Sequence, residues 1–164
     1  MHQESHSSIL FYEVQRFRQL SIWLILISVS MLFGLIFYWQ IILGVPVGNR
    51  PAADYMVILL WLVGGVALPV FFYVLKMVTI VDGESITIHF APLHKTRIIL
   101  QEIAELRVKK YEFLDYGGYG IRNGALNVSG NVGVELVFKN GEKLLIGSQR
   151  SKELAQSIST AMMP

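Results

Sequence analysis

The chain has 164 residues, of which 53% are apolar and only 16% are charged, with a net charge of +2 and no cysteine. The lack of cysteine excludes a disulfide scaffold, thiolate catalysis and any cysteine-ligated metal site, and the apolar content excludes a disordered chain. Between Gln19 and Leu75 the only charged residues are Arg50 and Asp54. The apolar residues are therefore concentrated in one segment, which is not typical of a single soluble globule.

Two charge-free runs follow a polar N-terminal segment, residues 1–19. They cover Leu20–Leu43 and Tyr55–Leu75, about 36 and 32 Å long as helices, and a hydrocarbon core is roughly 30 Å thick. Buried core helices are the alternative, but the rest of the chain is too short and too polar to enclose them. A cleaved signal peptide is disfavoured because the first run is long and lacks a cleavage site. Residues 20–75 are predicted to form a transmembrane hairpin, closed by the link Gly44–Asp54.

The basic residues predict the orientation of this hairpin. Arg16 and Arg18 precede the first span and Lys76 follows the second, whereas the connecting loop offers only Arg50. Because cytoplasmic loops carry the excess of Lys and Arg, both termini are expected in the cytoplasm. Neither span contains Asp, Glu, Lys, Arg or His, so the pair is predicted to be an anchor rather than a transport path.

From Lys76 onward the apolar residues alternate as in β-strands. Asp82-Gly83 lies between two apolar runs and marks a hairpin. The predicted strands are Met77–Val81, Ser85–Phe90, Thr96–Leu100, Glu105–Phe113, Leu126–Val128, Val132–Lys139 and Glu142–Ile146. Residues 76–164 are thus expected to form a β domain of seven strands followed by one helix, and the whole chain an α+β membrane protein.

The last two predicted strands are joined by Asn140-Gly141, the preferred dipeptide of a two-residue type I′ turn. This register places Lys139 opposite Glu142, and it places Leu145 on the face that carries Val134, Leu136 and Phe138. Opposite charges at the closing pair and an apolar face behind it are mutually consistent.

The closing helix is predicted over residues 151–162. Ser151 is the expected N-cap, and Glu153 lies in the first turn, where the helix dipole favours an acid. An apolar stripe at helical spacing is expected to face the core: Leu154, Ile158, Ala161 and Met162.

Seven strands followed by a helix resemble the bacterial pleckstrin-homology-like (PH-like) domains, a bent seven-stranded barrel closed by a C-terminal helix. More closely, the chain resembles an uncharacterised bacterial family of small two-span membrane proteins. The segments that carry this resemblance are Tyr12–Phe17, Tyr116–Arg122, Asn127–Gly130 and Asn140–Arg150. The resemblance implies a PH-like β-barrel or sandwich and a place in the bacterial cytoplasmic (inner) membrane. It implies no chemistry.

Candidate catalytic and metal-binding patterns are weak. His89 and His94 have no recognised ligand spacing and no accompanying carboxylate cluster, and the glycines of Gly118–Gly124 precede a strand rather than a helix, unlike a dinucleotide-binding loop. No serine lies in a nucleophile elbow. We therefore expect no catalytic residue, no metal and no cofactor. The low net charge also argues against nucleic acid as a partner.

Two groups of residues are candidate binding surfaces. The first is the loop Tyr116–Arg122, in which Tyr116, Tyr119 and Arg122 are of types enriched at binding hot spots and the glycines give an adaptable backbone. The alternative is structural, with the glycines in tight turns and Arg122 paired with Asp115 or Glu112. The second group is Arg107, Lys109 and Lys110, which could face an anionic leaflet, although nearby acids favour a merely solvated strand face.

These observations together predict a membrane-anchored interaction module without catalytic activity. Its expected partners are the lipid bilayer and another membrane protein or a second copy of the chain. Two alternatives remain open. One is a membrane-bound enzyme whose site is the loop with the tyrosines and Arg122, and the other is an accessory subunit of a transporter that uses its spans as the interface.

Overall fold

A computed structural model of the chain describes residues 8–110, 120–122, 125–128 and 130–163. The chain divides into two compact units. The helical unit is Phe17–Val74, and the β unit combines the N-terminal residues up to Arg16 with the chain from Leu75 onward. The β unit is therefore built from two segments, one that precedes the helical unit in sequence and one that follows it.

The helical unit contains two apolar helices, Leu20–Ile42 and Asp54–Val74, each long and apolar enough to cross a membrane. The first consists of α1 (Leu20–Phe37) and a π-helical stretch. The second consists of α2 (Asp54–Leu60), a π-helical stretch over Trp61–Ala67, and α3 (Leu68–Val74). These bounds lie within one residue of the predicted spans.

A few specific contacts join the two apolar helices. The Ser30 hydroxyl donates to the Gly65 carbonyl oxygen at 2.5 Å, and the rings of Phe37 and Trp61 stack with their centroids 4.3 Å apart. Gln40 donates through Nε2 to the Ala52 carbonyl oxygen at 2.6 Å. Ser30 and Gln40 therefore make their hydrogen bonds within the helical unit, while many large apolar side chains of the two helices are exposed.

The first sheet of the β unit has four antiparallel strands in sequence order. They are β1 (Phe11–Arg16), β2 (Lys76–Val81), β3 (Ser85–Ala91) and β4 (His94–Ile99). Strand β1 corrects the sequence-based division, which left residues 1–19 as a segment outside the β domain. Six residues that alternate between buried and exposed positions are too few to distinguish a strand from a loop without knowledge of the partner strand.

The second sheet has five strands in the order β5-β8-β9-β7-β6. They are β5 (Ile103–Lys110), β6 (Gly120–Arg122), β7 (Ala125–Asn127), β8 (Val132–Phe138) and β9 (Lys143–Gly147). In the described residues no ladder joins the two sheets. Of the two predicted forms, barrel or sandwich, the barrel is therefore wrong, because the sheets do not close. A short 3-10 helix, Leu100–Glu102, lies between β4 and β5 and directs the chain from one sheet into the other.

The C-terminal helix α4 (Ser151–Met162) has the predicted bounds. Leu154 and Ile158 are fully buried, and α4 contacts strands of both sheets. The predicted Ser151 cap is wrong, because Arg150 is the N-cap residue and makes no side-chain capping bond. The hydroxyl of Ser148 accepts the Arg150 backbone N–H instead, at 3.0 Å.

The predicted Asp82-Gly83 turn joins β2 and β3. One carboxylate oxygen of Asp82 accepts the backbone N–H groups of Glu84 at 2.9 Å and of Ser85 at 2.6 Å. Burial acts to raise the pKa of Asp82, but these hydrogen bonds, the Ser85 hydroxyl and the charge of Arg97 together hold that pKa below its usual value. The ionised carboxylate therefore stabilises the turn.

The turn between β8 and β9 differs from the predicted type I′ turn. Val137 pairs with Lys143 and Glu135 pairs with Leu145, and the Phe138 N–H donates to the Glu142 carbonyl oxygen at 2.9 Å. The loop therefore has three residues, and Leu145 shares a face with Glu135 rather than with Val134 and Leu136. A type I′ turn needs a positive φ at both central residues, whereas only Gly141, at +88°, has one here.

The side chain of Asn140 explains this choice of turn. Its Oδ1 accepts the Glu142 backbone N–H at 2.9 Å, which fits a type I turn followed by a glycine in the left-handed region. Lys139 lies in the three-residue loop and is not opposite Glu142. Its backbone N–H donates instead to the Glu102 carbonyl oxygen at 2.9 Å. One residue of register moves every side chain of a strand to the other face.

We predict that Asn140→Gly lowers the free energy of unfolding of the β unit by about 1–2 kcal/mol, because it removes this hydrogen bond and adds backbone freedom. A type I′ turn would tolerate glycine at position 140 with little change. Urea denaturation of the full chain in mild detergent, monitored by pulse proteolysis, measures the difference. Asn140→Asp is the matched control and is expected to leave stability nearly unchanged.

Candidate functional site

The binding loop predicted from sequence lies mostly outside the described residues. Tyr116 and Tyr119 are not among them, and neither are Asp115 and Glu112, the alternative partners of Arg122. The backbone of Arg122 ends β6, but its side chain is not described. The binding role of Tyr116, Tyr119 and Arg122 therefore stays a prediction.

Two members of the predicted basic patch on β5 are engaged in ion pairs. Arg107 donates to both carboxylate oxygens of Glu105 at 2.7 Å, and Lys109 Nζ lies 3.0 Å from Glu135 Oε1. The hydrogen bond from Arg107 holds the pKa of Glu105 below its usual value. These charges are compensated locally, which favours the reading of a solvated strand face.

An unpredicted polar cluster lies in the interior of the β unit. Glu13 and Gln15 belong to the inward face of β1, and they are 7% and 1% exposed. They meet the segment between β9 and α4. We define the Glu13 cluster as Glu13, Gln15, Ser148, Gln149 and Arg150.

The carboxylate of Glu13 accepts three hydrogen bonds from this cluster. The Ser148 hydroxyl donates to Oε2 at 2.7 Å and the Gln149 backbone N–H donates to Oε1 at 3.0 Å. Gln15 Nε2 donates to Oε2 at 3.2 Å and to the Gly147 carbonyl oxygen at 2.8 Å. A buried charge is costly unless hydrogen bonds replace its hydration, and these donors supply that replacement.

Arg150 extends the cluster to the free edge of β1. Its Nη1 donates to the Tyr12 carbonyl oxygen at 3.3 Å, and its guanidinium lies 5.1 Å from the centre of the Phe11 ring. An ion pair with Glu153 orients the guanidinium and, as the main cause, raises the pKa of Arg150. The Ser157 hydroxyl donates to the Leu10 carbonyl oxygen at 3.3 Å. Side chains of α4 and its N-cap thus satisfy edge carbonyls that could otherwise pair with another strand.

The hydrogen bonds of the Glu13 cluster hold β1 to the segment between β9 and α4. Ser148 is 3% exposed, and its hydroxyl is used in one donated and one accepted hydrogen bond. His94 pairs with Thr96 at 2.7 Å on β4. Among the described residues no group of three His, Asp or Glu side chains is arranged to hold a metal.

The sequence contained a signal for this cluster. Tyr12–Phe17 and Asn140–Arg150 are two of the segments that carried the family resemblance, and the structure brings residues of both together. What the sequence did not indicate was that they meet, because 132 residues separate Gln15 from Ser148 along the chain.

A surface groove of about 720 Å³ is also present in the β unit. It lies where β4, the 3-10 helix and the β8–β9 turn diverge, and its charged lining residues are Arg97, Glu102, Lys139 and Glu142. The groove is therefore lined by both basic and acidic side chains. Sequence reasoning did not predict this groove.

We predict that Glu13→Ala destabilises the β unit by about 3 kcal/mol, because buried donors lose their acceptor. Glu153→Ala is the control, since it removes an exposed acid from the same ion-pair network and is expected to cost less than about 1 kcal/mol. Urea denaturation of the full chain in detergent measures both. Equal effects of the two substitutions would contradict the role assigned to Glu13.

No curated protein matches the sequence. The profile of a family of unknown function, DUF6141, matches residues 2–164. The match includes both segments that form the Glu13 cluster as well as the two apolar helices. The chain therefore belongs to the DUF6141 family.

Proposed function

We propose that this protein is a membrane-anchored interaction module without catalytic activity. Its two apolar helices span the bilayer, and its β unit binds a partner at the membrane surface. The observation that carries the proposal is the way in which the chain joins the two units. Three residues separate Arg16 of β1 from Leu20, and one residue separates Val74 from Lys76 of β2. Such short connections keep the β unit close to the bilayer, unlike a long flexible linker.

The proposed location is the bacterial cytoplasmic membrane, with both termini in the cytoplasm. Arg16 and Arg18 before the first helix and Lys76 after the second outnumber Arg50 in the connecting loop. The excess of Lys and Arg on one side of short loops sets orientation. The β unit would then face the cytoplasm.

The proposed relationship to PH-like domains rests on two sheets followed by a C-terminal helix that contacts both. In this comparison the β unit corresponds to an open sandwich rather than to a closed barrel. A rigid scaffold of this kind is suited to present binding loops. The loop with Tyr116, Tyr119 and Arg122 is the proposed contact with a protein partner or a second copy of the chain.

Photocrosslinking in living cells tests the proposal. A photoreactive phenylalanine analogue replaces Tyr119, and in a matched control it replaces Tyr55, which is 71% exposed at the start of the second apolar helix. We expect a discrete adduct from position 119 and none from position 55. Arg122→Ala is expected to abolish the adduct while the melting temperature stays nearly constant.

Other outcomes would contradict this function. Lack of an adduct at position 119, or an Arg122→Ala protein that melts several degrees lower yet still forms the adduct, would refute the binding loop. Capture of a multi-span protein only from position 55 would instead favour the accessory subunit of a transporter.

A further inference from the structure

The outward face of the four-stranded sheet combines basic and apolar side chains. We define the outer basic face as the outward residues of β1 to β4 that carry this pattern: Tyr12, Val14, Arg16, Lys76, Val78, Ile80, Lys95 and Arg97. The alternating burial of these strands puts them on the side away from the core. Tyr12 is 54% exposed and Val14 40%.

Most of the positive charge on this face has no acidic partner, and the exception is Arg97, whose charge interacts with that of Asp82. The only acidic residue in the four strands is Glu13, and it points inward into its cluster. In the described part of the chain, Arg16, Lys76 and Lys95 form no ion pair. Arg97 is partly engaged, because its Nε donates to the Ser85 hydroxyl at 3.0 Å. The five-stranded sheet differs, since its Arg107 and Lys109 are paired with acids.

The strand register places these charges in successive rows. Arg16 pairs with Lys76 at the end of the sheet where the chain continues into the apolar helices. The next row contains Val14, Val78, His89 and Lys95, and the one after it contains Arg97. Rows two residues apart are about 7 Å apart along a strand. Lys95 is therefore one row from the residues that adjoin the spans, a distance comparable with the thickness of a lipid headgroup layer, roughly 5–8 Å.

We propose that the outer basic face binds the anionic headgroups of the membrane in which the protein is anchored. The proposal rests on the proposed function, because it requires the apolar helices to anchor the chain in a bilayer. Arg16, Lys76 and Lys95 would contact lipid phosphates, and the amphipathic side chain of Tyr12 suits the interface between water and lipid. Anchoring adds to the effect, since the face and the lipids stay at high effective concentration.

The experiment uses the full chain in lipid nanodiscs. Because the sequence has no cysteine, His89→Cys provides a single labelling site on the exposed outward side of β3. A fluorophore at this position is quenched by nitroxide lipids that carry the spin label on the headgroup. Nanodiscs contain either phosphatidylcholine alone or phosphatidylcholine with phosphatidylglycerol.

We expect strong quenching with phosphatidylglycerol and weak quenching without it. A salt concentration of 1 M is expected to abolish this difference because it shortens the screening length to about 3 Å. Lys95→Glu removes one positive charge and adds one negative charge. The ratio of docked to free protein is expected to fall about 25-fold, at about fivefold per unit of charge near an anionic surface. Lys143→Glu, the same change at an exposed residue of the five-stranded sheet, is the matched control and leaves the ratio unchanged.

Each outcome decides the proposal. Quenching that is equal in both lipids, or equally reduced by Lys95→Glu and Lys143→Glu, overturns it while the membrane anchor stands. That result would favour an acidic protein, rather than lipid, as the partner of the outer basic face. A chain that does not enter nanodiscs at all refutes the anchor and this proposal together.

Discussion

The β unit depends on the burial of one carboxylate. Glu13 lies inside the fold with three hydrogen-bond donors, and two of them come from the segment between β9 and α4. Without Glu13 the buried Ser148 hydroxyl would lose its acceptor, and without the donors the charge would lie buried and uncompensated. Each half of the cluster therefore stabilises the other, and β1 is held to the end of the domain that is most distant from it in sequence.

This constraint has a consequence for the connection to the helical unit. The strands that precede and follow the helical unit in sequence belong to one sheet, so both connections to the apolar helices begin at neighbouring strands, with Arg16 paired to Lys76. In sequence, the helical unit is an insertion between β1 and β2. The same arrangement separates the charges, because Glu13 points inward and every charged residue on the outward side of the four strands is basic.

Much of this architecture could be predicted from local sequence signals. Charge-free runs located the apolar helices, Asp82-Gly83 marked the first hairpin of the β domain, and an apolar stripe with Glu153 located α4. The errors arose where the outcome depends on distant partners. Strand β1 could not be predicted from its own residues, because it is defined by its pairing with β2 and by its contact with Ser148. The register of β8 and β9 depends on the hydrogen bond to the Asn140 side chain and on the hydrogen bond from Lys139 to Glu102. The Glu13 cluster was unpredictable for the same reason, because no local pattern shows that an acid will be buried.

Removal of the helical unit tests most directly whether β1 belongs to the β domain. A two-residue Asn-Gly turn replaces residues 17–75, the helical unit and Leu75, and so connects Arg16 to Lys76. We expect a soluble protein with cooperative unfolding, and we expect residues 76–164 alone to be unfolded or at least about 3 kcal/mol less stable, because the donors to Glu13 lose their acceptor. Equal stability of the two proteins in urea denaturation would contradict the account.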